Sequence, residues 1–124
     1  MRIKKGNGQQ KVFLQYKVWL TAITGDGAVG ETEYRLLKHI ATHQSLKAAS
    51  DEVGISYRKA WGDLKKAEEI LGYQLITKQR GGKDGGTSTT TERATKLIEA
   101  YEALQKIFDE KAEEAYQEFK DKIK

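Results

Sequence analysis

Residues 45–64, SLKAASDEVGISYRKAWGDL, constrain this chain most, because they read as two short helices joined by a glycine turn. Ser45 is a good N-cap, and Leu46, Ala49 and Val53 follow it at the three- and four-residue spacing of one apolar face. Gly54 stops that helix and Ser56 caps the next. In the second helix Ala60, Trp61, Leu64 and Ala67 are expected to point inward, which makes Trp61 a core residue. Tyr57, Arg58, Lys59, Asp63, Lys65 and Lys66 are left for solvent or a ligand. Small residues at Ala49 and Ser50 let two helices cross steeply over a short turn. Two such helices, the second opening with exposed cationic and aromatic side chains, have the layout of a DNA-reading helix-turn-helix. Taken by itself, the stretch also fits an ordinary helical hairpin in a packed domain.

The flanking sequence supplies the context. A preceding helix is expected from about Glu31 to His43, burying Tyr34, Leu36, Leu37, Ile40 and Ala41. Gly72 follows Ile70 and Leu71 as a C-cap. Tyr73 to Lys78 then reads as a strand, with Leu75 and Thr77 alternating against Gln74, Ile76 and Lys78. RGGKDGG at 80–86 is a glycine-rich loop, and TSTTT at 87–91 is β-branched enough to return as a second strand. Three helices followed by a hairpin with a basic tip describe a winged helix-turn-helix. Upstream, Lys11 to Thr21 alternates as a half-buried strand, with Val12, Leu14, Tyr16, Val18 and Leu20 on one face. Tyr16 and Trp19 belong to it as packing or cross-strand partners. TGDG at 24–27 is turn chemistry, and Ala28 to Gly30 would be a short return strand.

From Thr91 onward the chain changes character. Leu97, Tyr101, Leu104, Phe108, Ala112, Ala115 and Phe119 keep returning to one face of a single uninterrupted helix. Roughly thirty residues give a rod of about 45 Å, longer than so small a domain covers by itself. Its far end calls for a partner, and helix-to-helix dimerisation is the expectation. The fold class is therefore mainly α with small β-hairpins: a winged helix-turn-helix with an N-terminal strand or hairpin and a long C-terminal dimerisation helix. The expected organisation is a flexible N-terminus over 1–10, a DNA-binding domain over 11–91 and the dimerisation helix over 92–124.

Charge is distributed to match. The 124 residues carry a formal +4, but residues 1–90 hold a net +6 and residues 91–124 a net −2, so the basic part is the part with the helix-turn-helix. There is no cysteine, which removes disulfides and cysteine-based metal sites. KVFLQYKVWLT alternates with polar residues and never forms the apolar run of a signal peptide or membrane span, so a soluble cytoplasmic protein with no membrane partner is expected. Enzymatic readings find little support. GGK at 81–83 lacks the GxxxxGK[ST] spacing of a phosphate loop. His39 and His43 lie four apart on a helix, but no third ligand is placed beside them. Neither a catalytic constellation nor a cofactor is expected.

One family matches these residues. GISYRKAWGDLKKAEEILGYQLITKQRGGKDGG resembles the N-terminal DNA-binding domain of the molybdate-dependent transcriptional regulators, the ModE family, itself similar to the winged-helix domain of LysR-type regulators. The resemblance runs from Leu36-Leu37-Lys38-His39-Ile40 through Ser56-Tyr57-Arg58, Ala60-Trp61 and Arg80-Gly81-Gly82-Lys83 to Tyr101. It implies a DNA-binding transcriptional regulator. Full-length members carry a C-terminal molybdate-binding module, whereas this sequence ends after the long helix. A stand-alone DNA-binding domain is expected, with molybdate binding in doubt.

The geometry of a helix in the major groove nominates the site. Ser56, Tyr57, Arg58 and Lys59 open the second helix and lead the candidates, with Arg58 able to donate two hydrogen bonds to a guanine edge. Ser45, Lys47 and Lys65 are expected on phosphates, and Arg80 and Lys83 at the wing tip on phosphates or an adjacent minor groove. The expected activity is sequence-specific binding of double-stranded DNA at a palindromic operator by a homodimer. A non-specific architectural DNA-binding protein and a winged-helix protein-interaction module are the alternatives.

Overall fold

A computed structural model describes residues 2–4, 12–25, 27–79 and 86–124. In chain order the elements are β1 (Arg2–Lys4), β2 (Leu14–Tyr16), β3 (Leu20–Thr21), β4 (Ala28–Val29), α1 (Glu31–His43), α2 (Leu46–Val53), α3 (Tyr57–Leu71), β5 (Ile76–Gln79), β6 (Thr87–Thr90) and α4 (Glu92–Lys122). The strands pair antiparallel as β1 with β2, β3 with β4, and β5 with β6. Two compact units result, Trp19–Ala100 and residues 1–18 with 101–124. The winged helix-turn-helix with its long C-terminal helix is the fold. Among the described residues no helix is long and apolar enough to cross a membrane.

In the Trp19–Ala100 unit the core is built by Leu36, Leu37 and Ile40 of α1, Leu46 and Ala49 of α2, Ala60, Leu64 and Ala67 of α3, and Leu75, Ile76, Ala94 and Ile98 beyond them. Ala41, expected inside, is exposed. It lies about 90° around the helix from the centre of the Leu36–Leu37–Ile40 stripe. That stripe instead includes Glu33, a buried carboxylate that accepts the Gly30 N–H at 2.8 Å across the start of α1. Burial raises the Glu33 pKa, and the Gly30 hydrogen bond works against the rise.

The wing is fastened at both strands. Glu68 of α3 accepts the N–H groups of Leu75 (2.7 Å) and Ile76 (3.3 Å) and the ammonium of Lys65 (3.1 Å). Burial alone would raise the Glu68 carboxyl, but these three donors outweigh it and hold the pKa below its ordinary value. They also explain why β5 starts at Ile76 rather than Tyr73. Leu75 and Ile76 are both buried, so the expected alternation does not hold across them. On the other strand the Ser88 N–H donates to the Gln44 carbonyl at 3.0 Å, where Gln44 turns the chain from α1 into α2 with φ 55°. Thr91 caps α4 by accepting the Ala94 N–H at 3.1 Å.

The N-terminal segment departs from expectation in two ways. Arg2–Lys4 is a strand within the start expected to be flexible. The single strand expected over Lys11 to Thr21 is split, because its backbone finds partners only at its ends: Leu14–Tyr16 pairs with β1 and Leu20–Thr21 with β4.

In the second unit three tyrosine hydroxyls stitch the N-terminal segment to α4. Tyr101 donates to the Val18 carbonyl at 3.3 Å, Tyr116 to the Val12 carbonyl and Tyr16 to the Asp109 carboxylate. The face so covered runs through Tyr101, Gln105 and Tyr116, which are buried. It is turned by about 60° from the expected apolar face. Tyr101 belongs to both, whereas Phe108, Ala115 and Phe119 are exposed rather than inward.

Candidate nucleic-acid interface

The turn between α2 and α3 is formed as glycine chemistry requires. Gly54 adopts φ 84°, a left-handed conformation that costs a residue with a Cβ, and its N–H donates to the Ser50 carbonyl at 2.9 Å. Both helices open on serine caps: Ser45 Oγ accepts the Ala48 N–H and Ser56 Oγ the Lys59 N–H, each at 3.0 Å. Ser45 and Ser56 therefore spend acceptor capacity on the helix ends, and each retains a hydroxyl hydrogen to donate outward.

The first turn of α3 presents Tyr57, Arg58 and Lys59 to solvent together. Lys59 pairs with Asp63 at 3.0 Å and Lys47 with Asp51 at 3.6 Å, both across one exposed helical turn, where such pairs are weak and exchange readily. Lys65 is held more firmly, by Glu68 at 3.1 Å and over the Trp61 ring at 4.3 Å. Arg58 makes no ion pair among the described residues, which leaves its guanidinium fork available. Arg80 and Lys83 lie outside the described residues.

An open cavity of about 560 Å³ separates the start of α2 from the wing. Ser45 and Lys47 stand on one side, Lys78, Gln79, Thr87 and Ser88 on the other, and Tyr57 and Trp61 between them. It brings together Ser45, Lys47 and Tyr57 of the expected contacts, but not Ser56, Arg58, Lys59 or Lys65.

Trp61 corrects the sequence reading. Expected in the core, it is 37% exposed, beside Tyr57 at 43%. Trp61 lies about 90° around α3 from the centre of the buried Ala60–Leu64–Ala67 stripe, at the helix flank. Lys78 is a residue the sequence reading missed. Its Nζ lies 4.9 Å from the centroids of both the Tyr57 and the Trp61 ring and donates to the Tyr57 hydroxyl. A signal was present: Trp61 follows Tyr57 by four residues, so the two must share a helical face. Nothing comparable marks Lys78, whose place depends on the wing folding back over α3.

His39 and His43 stack with ring centroids 5.8 Å apart. Among the described residues no group of three or more His, Cys, Asp or Glu side chains is placed to hold a metal ion.

Comparison with known proteins agrees with this geometry. Residues 32–95 match the family described as bacterial regulatory helix-turn-helix protein, lysR family. The DNA-binding transcriptional dual regulator ModE of Escherichia coli is 36% identical over 78 residues, covering 60% of this chain and 30% of that protein. The molybdenum-pterin-binding protein MopB of Rhodobacter capsulatus is 36% identical over 77 residues, 62% of this chain and 28% of its own length. The transcriptional regulator ModE of Haemophilus influenzae is 33% identical over 72 residues, 58% and 28% respectively. The similarity thus spans less than a third of each of these relatives. The family description and the ModE names are those of regulators rather than enzymes. The chain belongs to the bacterial regulatory helix-turn-helix proteins of the lysR family, with a DNA-binding domain of the ModE type.

Proposed function

We propose that this protein is a cytoplasmic, sequence-specific DNA-binding transcriptional regulator that occupies a palindromic operator as a homodimer. The observation that carries the reading is the first turn of α3, where Tyr57, Arg58 and Lys59 stand exposed on a helix braced by α1, α2 and the wing. Arg58 reads a guanine edge, and Ser56, Tyr57 and Lys59 flank it. Ser45, Lys47 and Lys65 hold phosphates, and Arg80 and Lys83 extend the contact from the wing tip. Dimerisation runs through α4, supported by the exposure of Phe108 and Phe119 along the helix and of Ile123 just beyond its end. Two recognition helices then address half-sites about 34 Å, or a multiple of it, apart.

Selection of bound sequences from a random DNA pool tests the reading, run with and without molybdate because the resemblance is to molybdate-dependent regulators and one relative is named a molybdenum-pterin-binding protein. An inverted repeat is expected. Enrichment of no consensus, with uniform affinity for any duplex, would replace the reading by architectural DNA binding. Failure to bind any duplex at low salt would leave a protein-interaction module.

A further inference from the structure

Lys78 is a cation beside the recognition helix that the function above leaves without a task. Lys78 lies two residues beyond the buried Ile76 on the same face of β5, and it is exposed there, over Tyr57 and Trp61 of α3. Its ammonium rests on two aromatic faces at 4.9 Å, within the range of a cation–π contact. Lys47, Lys59 and Lys65 each have a carboxylate partner, whereas Lys78 has none among the described residues. Aromatic rings fix a lysine in position without neutralising it. The result is a full positive charge, already localised, at the wall of an open cavity.

We propose that this cavity, between the start of α2 and the β5–β6 wing, seats one backbone phosphodiester of duplex DNA, with Lys78 as its anchoring cation on a platform of Tyr57 and Trp61. The proposal rests on the DNA-binding reading and adds a binding site to it. Two donors converge there. Tyr57 accepts a hydrogen bond from Lys78 through its hydroxyl oxygen and so keeps its own O–H to donate. A phosphodiester oxygen takes both, from Lys78 Nζ and Tyr57 Oη, and its single negative charge meets a cation that has no carboxylate partner among the described residues. Lys47 stands across the cavity as a second source of positive potential. A base edge suits the site poorly, because the aromatic faces that would stack on it already carry the ammonium. The contact is therefore independent of sequence, and Lys78 acts on affinity where Arg58 acts on selection.

Binding of the full chain to its selected operator and to a random duplex of equal length, followed by fluorescence anisotropy across a salt series, tests this. Lys78→Gln is expected to weaken both duplexes by the same factor, roughly tenfold near 0.1 M salt, and to make the slope of log K against log salt about 0.9 less negative. Lys78→Arg keeps the charge and is expected to keep the slope. The helical content of Lys78→Gln should match that of the unaltered protein, since the side chain is exposed and lies outside the core. An unchanged slope in Lys78→Gln, or a loss confined to the operator, overturns the phosphate seat while leaving DNA binding intact. Absence of duplex binding by the unaltered protein overturns both readings.

Discussion

Tyr57 and Trp61 stand four residues apart in α3, one above the other on the same face, and they show how far side-chain type can mislead. Trp61 adjoins Ala60 at the edge of the inward stripe, and counting that apolar side chain with Ala60, Leu64 and Ala67 places it inside. Spacing from an exposed tyrosine places it outside, and spacing prevails because backbone geometry fixes direction before side-chain chemistry can choose. Arg58 was legible for the same reason, being next to Tyr57 on the first turn. Arg58→Ala should cost about 1–3 kcal/mol on the selected operator and relax selection at one base step, read by gel shifts against single-base operator variants. Equal losses on operator and random DNA would deny it a base contact. Glu68 was not legible, since nothing local announces that a helical carboxylate will receive two N–H groups from the following turn. Glu68→Gln keeps the shape but gives up the charge, and should cost about 1–3 kcal/mol at neutral pH in chemical unfolding. Because the folded-state pKa lies below its ordinary value, the stabilisation is full above the ordinary carboxylate range and is lost as pH falls through the lowered pKa. The difference between unaltered protein and variant should therefore shrink on acidification. A difference that stayed constant with pH would show that the carboxylate's charge plays no part.

At the scale of elements, punctuation was the legible part. Ser45, Gly54, Ser56 and Gly72 set the ends of α2 and α3 where the sequence placed them, because caps and left-handed turns are satisfied by neighbours in the chain. Elements that need a distant partner were read less well. The strand expected over Lys11 to Thr21 is divided between two partners, and the covered face of α4 follows the hydroxyls of Tyr16, Tyr101 and Tyr116 rather than the apolar stripe alone. Gly62 offers a clean test of local preference within α3. It is exposed in the middle of the helix, and a Cβ added there meets no atom within 4 Å. Gly62→Ala should therefore stabilise the protein by about 0.5–1 kcal/mol, through the conformational entropy that glycine loses on entering a helix. A rise of a few degrees in the thermal midpoint is expected. A fall would mean that the helix is not continuous through that residue in solution.

At the scale of the whole molecule, the open question is how a short basic reading head acquires enough affinity for one site. The net charge of +6 over residues 1–90 supplies attraction to any duplex, which is not selection. The proposed pairing of two heads would supply it, because a second half-site bound by a tethered partner adds avidity of about 10²–10⁴-fold without any new kind of contact. The surface proposed for pairing is carried by α4, where Phe108 is 46% and Phe119 51% exposed, Phe119 beside Val12, Phe13 and Leu14 of the N-terminal segment. Both side chains are half exposed in the single chain, and the tyrosine hydrogen bonds that hold the N-terminal segment do not involve them, so replacing them is expected to spare the fold and remove the pairing. Phe108→Glu combined with Phe119→Glu is expected to sediment as a monomer at concentrations where the unaltered protein is a dimer, with unchanged helical content. Its affinity for the full palindrome should fall by about 10²-fold or more toward that for a half-site, while half-site affinity stays the same. A double variant that still sediments as a dimer would place the pairing surface elsewhere than on these side chains of α4.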